Sequence, residues 1–279
     1  MTRRAIAGSL LAASAIVATA CKLDSVVFSG DAVKTYEIPA TLIPDSLRAE
    51  VQFTSSGETL FGYHLRQPGA VARLGILFSH GKGGNLSQAE EWAHAEMLWR
   101  AGFDVLTYDY RGFGKSTGKS NDETTLIADA QAAYAFFAAR IPGGAARIVS
   151  YGHSLGSAPA IALAAANPGM RALIVESGFS NGQAMATSAD PLGFPVRWLL
   201  REPMLNTEKI AAVLMPVLIL HGEADIQIPV QQGRDLFAAA RDPKQLQVVP
   251  RAGHNDVQIA LGAAAFRSLI RTFTGADTP

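Results

Sequence analysis

The sequence predicts an α/β fold, with a mostly parallel central sheet and helices on both faces. Three observations carry this. Short apolar runs alternate with helical stretches over most of the chain. Runs such as Leu74-Gly75-Ile76-Leu77-Phe78 and Val217-Leu218-Ile219-Leu220 are apolar on successive residues, as a strand covered on both faces must be. The length of 279 residues is enough for one such domain to account for the whole chain.

The elements follow in order. Val51–Thr54 and Leu60–Tyr63, separated by the polar Ser55-Ser56-Gly57-Glu58, read as a β-hairpin. After the apolar run at 74–78, Asp104–Tyr108 reads as a strand and Glu123–Arg140 as an Ala-rich amphipathic helix. Arg147–Tyr151 is the next strand, followed by a helix from Leu155 to about Ala166. Leu173–Val175, Val217–Leu220 and Leu246–Val249 are further strands, and a last helix fits Asp256–Phe273. Residues 177–208 break the rhythm, with Gly178, Gly182, Pro191, Gly193, Pro195 and Pro203 around Phe194, Trp198, Leu199 and Leu200. A stretch this long reads as a small cap inserted over a site, the alternative being a peripheral excursion along the sheet edge. The expected organisation is therefore a leader over 1–21, a linker over 22–46 and a domain over 47–275 that carries the 177–208 cap.

The leader stands apart from the fold. Arg3 and Arg4 precede an apolar run from Ala5 to Ala18, and Ala18-Thr19-Ala20 lead into Cys21, the only cysteine. This is the layout of an export signal, and the apolar run is short for a membrane span. A lone cysteine makes no intramolecular disulfide. Its position resembles the lipobox of bacterial lipoproteins, with Ala18 where that family usually has Leu. The resemblance implies lipidation of Cys21 and a chain tethered to a membrane surface in the cell envelope. The alternative is a soluble periplasmic or secreted protein whose signal happens to contain a cysteine. The 24 basic and 24 acidic residues cancel, so charge supplies no reason to expect nucleic acid as a partner.

The strongest chemical signal is Gly152-His153-Ser154-Leu155-Gly156, which fits G-x-S-x-G between a predicted strand and a predicted helix. A sharp strand-to-helix turn would push the Ser154 hydroxyl out over the sheet, and glycines on both sides relieve collisions. Serine is a weak nucleophile without a base. Among six histidines, His254 in Arg251-Ala252-Gly253-His254-Asn255-Asp256 lies in the loop after the last strand, where the order Ser…Asp…His requires it. His153 should point away from the serine, His80 and His221 sit at strand ends, His94 lies in a helical pattern and His64 in the hairpin. The acid is expected at Asp225, in the loop after the strand ending at Leu220; Glu223 and Glu176 are rivals. The backbone N–H of Leu155 can face a developing oxyanion, and the loop Ser79–Asn85 can supply a second donor from Lys82 or Gly83. That loop lacks the G-x-x-x-x-G-K-[ST] arrangement of a phosphate cradle. No histidine or carboxylate spacing suggests a metal site, and no cofactor is expected.

With these residues in view, the chain resembles serine hydrolases of the α/β-hydrolase-domain-containing type. The resemblance spans roughly residues 47–275 and rests on five segments in order: HGKGGN at 80–85, YDYRGFGKSTG at 108–118, GHSLG at 152–156, HGEADIQIP at 221–229 and GHND at 253–256. It implies the α/β-hydrolase fold and ester, thioester or amide cleavage through an acyl-enzyme. It also implies a triad of Ser154, Asp225 and His254, with the backbone of Lys82 and Leu155 as oxyanion hole. Asp109, Arg111, Gly112 and Gly114 match a segment that shapes a loop. The expected partner is a small-molecule or acyl-chain substrate. A peptidase of the same fold and a non-catalytic envelope binding protein are the alternatives.

Overall fold

A strand that is apolar on successive residues is stable only with both faces covered, and the molecule is layered accordingly. The computed structural model describes residues 28–69, 73–82, 84–188 and 203–277. Its strands are β1 (Arg48–Ser55), β2 (Glu58–Leu65), β3 (Gly75–Ser79), β4 (Asp104–Tyr108), β5 (Ile148–His153), β6 (Ala172–Glu176), β7 (Val217–Gly222) and β8 (Lys244–Val249). They form one sheet in the order β1-β2-β4-β3-β5-β6-β7-β8. β2 runs antiparallel to β1 and β4, and every other pairing is parallel. The hairpin turn tightens to Ser56-Gly57, both with positive φ (+49° and +89°), as a two-residue turn between twisted strands requires.

The helices described are α1 (Ala89–Arg100), α2 (Glu123–Ala138), α3 (Ser157–Ala166), α4 (Gly182–Ser188), α5 (Asn206–Ile210), α6 (Val230–Ala239), α7 (Val257–Leu261) and α8 (Ala263–Thr274). Alternate residues of the central strands enter two apolar layers. Leu77, Ile148, Val217 and Ile219 meet Leu126, Ala133 and Phe137 of α2, Ile161 of α3 and Leu236 of α6. Ile76, Phe78, Val149, Leu218 and Leu220 meet Trp92, Ala95 and Leu98 of α1 and Phe266 and Ile270 of α8. Burying one such aliphatic or aromatic side chain contributes about 1.5–3 kcal/mol, so the two layers are the main source of stability. Among the described residues no helix is long and apolar enough to cross a membrane.

Three details differ from the expectation set by the sequence. The last helix is two, because Gly262 (φ +79°, ψ 144°) breaks the helical path between α7 and α8. Helix α1 is a full twelve-residue element, where the sequence shows only a helical pattern around His94. The segment over 22–46, expected to be a linker, packs on the body where it is described: Phe28, Tyr36 and Ile43 are buried. The Tyr36 hydroxyl donates to Asp109 Oδ2 at 2.6 Å, and backbone bonds join Val33 N to Gly114 O and Gly114 N to Asp31 O. Cys21 and the apolar residues Phe194, Trp198, Leu199 and Leu200 lie outside the described residues. The two ends of the 177–208 insertion are pinned together by Gly182 N donating to Pro203 O at 2.8 Å and Thr207 N to Ser180 O at 3.1 Å.

The loop after β4 is fixed from below by a buried ion pair. Asp129, on α2 and fully buried, accepts from Arg111 Nη2 at 2.6 Å, Nε at 3.0 Å and the Arg111 backbone N–H at 2.8 Å. Asp129→Ala leaves the guanidinium buried without its counter-charge. The expected cost is about 3–5 kcal/mol, measured as a lowered urea midpoint in equilibrium unfolding.

Candidate active site

Strand β5 ends at His153 and the next residue turns sharply. Ser154 has φ +52°, a left-handed conformation that a residue with a side chain adopts only under constraint. The constraint is the closeness of the surrounding backbone. A Cβ on Gly156 would lie 2.0 Å from the Ser79 carbonyl oxygen, and one on Gly152 would lie 2.3 Å from the Gly156 oxygen. Any larger residue would push β3, β5 and the start of α3 apart. The turn therefore lifts the Ser154 side chain above the C-terminal ends of the parallel strands.

The structure brings Ser154, His254 and Asp225 together from three separate loops. Ser154 Oγ lies 2.9 Å from His254 Nε2, and His254 Nδ1 lies 2.8 Å from Asp225 Oδ2. With Asp225 ionised, Nδ1 carries the proton and donates it, which leaves Nε2 free to accept from the serine. The other Asp225 oxygen accepts the backbone N–H groups of Gln227 (2.9 Å) and Ile228 (2.8 Å). Burial opposes the Asp225 charge, yet hydrogen bonding from His221, His254 and the Ile228 N–H outweighs it. The carboxyl is held well below the usual carboxylate range. Lys82 lines the same cleft, about 240 Å³ in volume, with Gly81, Ser154, His254 and Gln227. Leu155 is buried at the turn that leads into α3, where the N-terminal end of the helix dipole faces the site. Gly83 lies outside the described residues. A larger hollow of about 500 Å³, lined in part by Met97, Arg267 and Arg271, shares no residue with the cleft.

The rival acids do not reach His254 Nδ1. Glu223 is exposed, and Glu176 is occupied beneath the site by Tyr151 and His94. The remaining histidines have structural surroundings. His80 Nε2 stands 3.2 Å from Asp109 Oδ1; burial works against its charge, but Asp109 and Glu91 raise its pKa to about 9. His221 Nε2 donates to the Ile228 carbonyl at 2.7 Å, and His64 packs edge-on against Phe137. His153 lines the same cleft as Ser154, and its Nε2 donates to the His254 carbonyl oxygen at 3.3 Å. Burial, with His94 close by, lowers its pKa to about 3, so the ring is neutral.

Sequence reasoning missed the supports of His254. Ser177, at φ +48°, donates its hydroxyl to the same His254 carbonyl at 3.0 Å. Asp256 Oδ1 accepts the Gly253 N–H at 2.6 Å, closing the loop on the other side. Nothing in Glu176-Ser177-Gly178 signals a contact with residue 254, because the pairing exists only once β6 and β8 are in the sheet.

Fold and site together define the class: the chain belongs to the α/β-hydrolase family. The family model for serine aminopeptidase, S33, matches residues 71–206. An uncharacterized protein of Mycobacterium tuberculosis (strain H37Rv) is 34% identical over 221 residues, 79% of this chain and 77% of that protein. Human alpha/beta hydrolase domain-containing protein 17B is 32% identical over 190 residues, 67% of this chain and 62% of that protein. Among solved structures, the Pyrococcus furiosus esterase Pf2001 superposes with a TM-score of 0.68 at 18% identity, covering 86% of this chain and 98% of that one. Est1E from Butyrivibrio proteoclasticus, solved with ferulic acid bound, gives 0.66 at 20% identity, covering 81% and 99%. At these identities the structural likeness speaks to the fold.

Two outcomes are expected. Gly156→Ala should cost about 3 kcal/mol or more, because its Cβ meets backbone that cannot swing aside; thermal unfolding measures this. The lowered pKa of Asp225 makes its ionisation stabilising above the ordinary carboxylate value near 4, and that stabilisation is lost as pH falls toward the lower folded-state value. Asp225→Asn should therefore flatten the fall in stability below about pH 4, followed as denaturation midpoint against pH.

Proposed function

We propose that the protein is a serine hydrolase that cleaves carboxylic esters or thioesters through an acyl-enzyme intermediate. The observation that carries this reading is the unbroken hydrogen-bond chain from Asp225 through His254 to Ser154. Ser154 Oγ attacks the carbonyl carbon while its proton passes to His254 Nε2. The backbone N–H groups of Lys82 and Leu155 receive the oxyanion, and Asp225 stabilises the imidazolium. His254 then protonates the leaving oxygen or sulfur. Water, deprotonated by His254, attacks the acyl-enzyme, and Ser154 recovers its proton as the acid departs. No cofactor takes part in these steps.

A second reading, amide or peptide cleavage, is favoured by one feature: Glu90 lines the cleft and is exposed, where its carboxylate can receive an amine. Matched nitrophenyl esters and aminoacyl nitroanilides separate the two. The sequence also supports export, with lipidation of Cys21 holding the enzyme at a membrane surface.

The decisive test is labelling with a fluorophosphonate alongside ester turnover. Wild type should label and turn over. Ser154→Ala and His254→Ala, folded by circular dichroism, should lose labelling and about 10⁴-fold or more of kcat. Asp225→Asn should keep the fold and lose on the order of 10⁴-fold, because the wrong histidine tautomer is then favoured. A folded wild type that neither labels nor hydrolyses any ester would favour a non-catalytic binding scaffold. For the anchor, Cys21→Ser should move the protein from the membrane to the soluble fraction on cell fractionation.

A further inference from the structure

Beneath the serine turn, three buried side chains converge on one point. The geometry points to a binding site for a single divalent transition-metal ion, zinc(II) by its donor set, held by His94 Nε2, His153 Nδ1 and Glu176 Oε1. His94 comes from the middle of α1. His153 and Glu176 end β5 and β6 and are direct partners in the parallel register. One donor atom from each of the three residues lies within 4.8 Å of the others, and His94 Nε2 is 3.6 Å from Glu176 Oε1. Donors around a tetrahedral zinc at about 2.0–2.1 Å are roughly 3.4 Å apart, so side-chain shifts on the order of an ångström complete the set.

The second observation is the pattern of hydrogen bonding. His94 and Glu176 are 3% and 0% exposed and His153 is 3% exposed, and each of the three converging atoms is buried without a hydrogen-bond partner. The opposite polar atom of each residue is anchored. His94 Nδ1 bonds the Glu90 carbonyl at 3.1 Å, His153 Nε2 bonds the His254 carbonyl, and Glu176 Oε2 accepts from the Tyr151 hydroxyl. Since a carbonyl can only accept, those histidine nitrogens carry the protons. In the neutral rings both inward nitrogens therefore present lone pairs, and they face a carboxylate oxygen that is also an acceptor. With both rings neutral, three acceptors would face each other out of water, which is unfavourable unless a cation sits among them. Burial opposes a proton on His94, but Glu176 and Glu91 outweigh it and raise the pKa of the ring; that proton serves the His94–Glu176 pair alone and leaves His153 Nδ1 without a partner. A metal ion serves all three atoms. A ring N–H bonded to a carbonyl, with the other nitrogen free, is also how metal-ligating histidines are oriented. Two imidazoles and one carboxylate match zinc in preference to magnesium or calcium, which favour oxygen alone.

His153 lines the cleft, which gives an ion a route inward. Once bound, it would lock the ring that holds the His254 carbonyl and so stiffen the junction between the serine turn and the base loop. This is a positioning role and does not rest on the reading of the substrate.

The test uses the full-length chain, stripped with a chelator and titrated with zinc chloride by isothermal calorimetry. Metal content of protein purified from zinc-supplemented cells is measured in parallel by mass spectrometry. One equivalent per chain is expected. Cobalt(II) in its place should give the visible absorption of a four-coordinate nitrogen and oxygen site. His94→Gln and Glu176→Gln should each weaken binding about 100-fold or more. Tyr151→Phe, which removes only the bond to Glu176 Oε2, should weaken it about 10-fold. A folded wild type that takes up no zinc overturns the proposal, as does binding undiminished in His94→Gln. Fluorophosphonate labelling of the same samples reads Ser154 separately, so an inert serine and an empty metal site are distinguishable. If His94→Gln and Glu176→Gln fail to fold, the wild-type cobalt spectrum and Tyr151→Phe decide.

Discussion

The close contact between Gly156 and the Ser79 carbonyl, with Gly152 folded against Gly156, is the constraint on which the arrangement of the site depends. It forces the chain to leave β5 steeply, and Ser154 then has no route to α3 except through a left-handed backbone. Such a conformation costs on the order of 1–3 kcal/mol. It persists because β3, β5 and α3 are held by apolar layers on both faces of the sheet, whose combined burial exceeds that cost many times over. The strain has a geometric product. A hydroxyl on the gentle path of an ordinary strand-to-helix loop would lie against the sheet, whereas this one stands clear, within 2.9 Å of an imidazole that arrives from a hundred residues further along.

His254 is held as firmly as the serine. The His254 carbonyl is gripped by Ser177 from the end of β6 and by His153 from the end of β5, while its ring is aimed by Asp225 from the end of β7. Neighbouring strands thus fix one residue through both its backbone and its side chain, and little reorganisation is needed before a proton can move. The acidic and basic groups under the site sort by partner: Asp225 serves His254 and, more loosely, His221, Asp109 serves His80, and Glu176 serves His94. This separation explains why, of these three buried carboxylates, Asp225 alone reaches His254.

Much of this was legible in the sequence because it is local or ordered along the chain. The strands over 74–78, 104–108 and 217–220 are marked by unbroken apolarity, and G-x-S-x-G with strand before and helix after placed Ser154. Asp225 and His254 followed from chain order and loop position, and the structure brings both to Ser154. The failures share a cause. Ser177, the Tyr36–Asp109 bond and the grouping of His94, His153 and Glu176 are contacts between elements far apart in sequence, and no spacing rule encodes them. The break at Gly262 escapes for another reason: the apolar period continues across it, so the pattern reads as one helix where the backbone makes two.

The hundred residues between Ser154 and His254 also have a meaning in time. At about 5–20 residues per second, synthesis of that interval takes roughly 5–20 s. At its start, β6, β7, β8 and the loops bearing Asp225 and His254 do not yet exist, so Ser154 lacks its histidine partner and its turn lacks three of the eight strands of the sheet. Ser154, His254 and Asp225 come together only when the far end of the chain has been made and has paired.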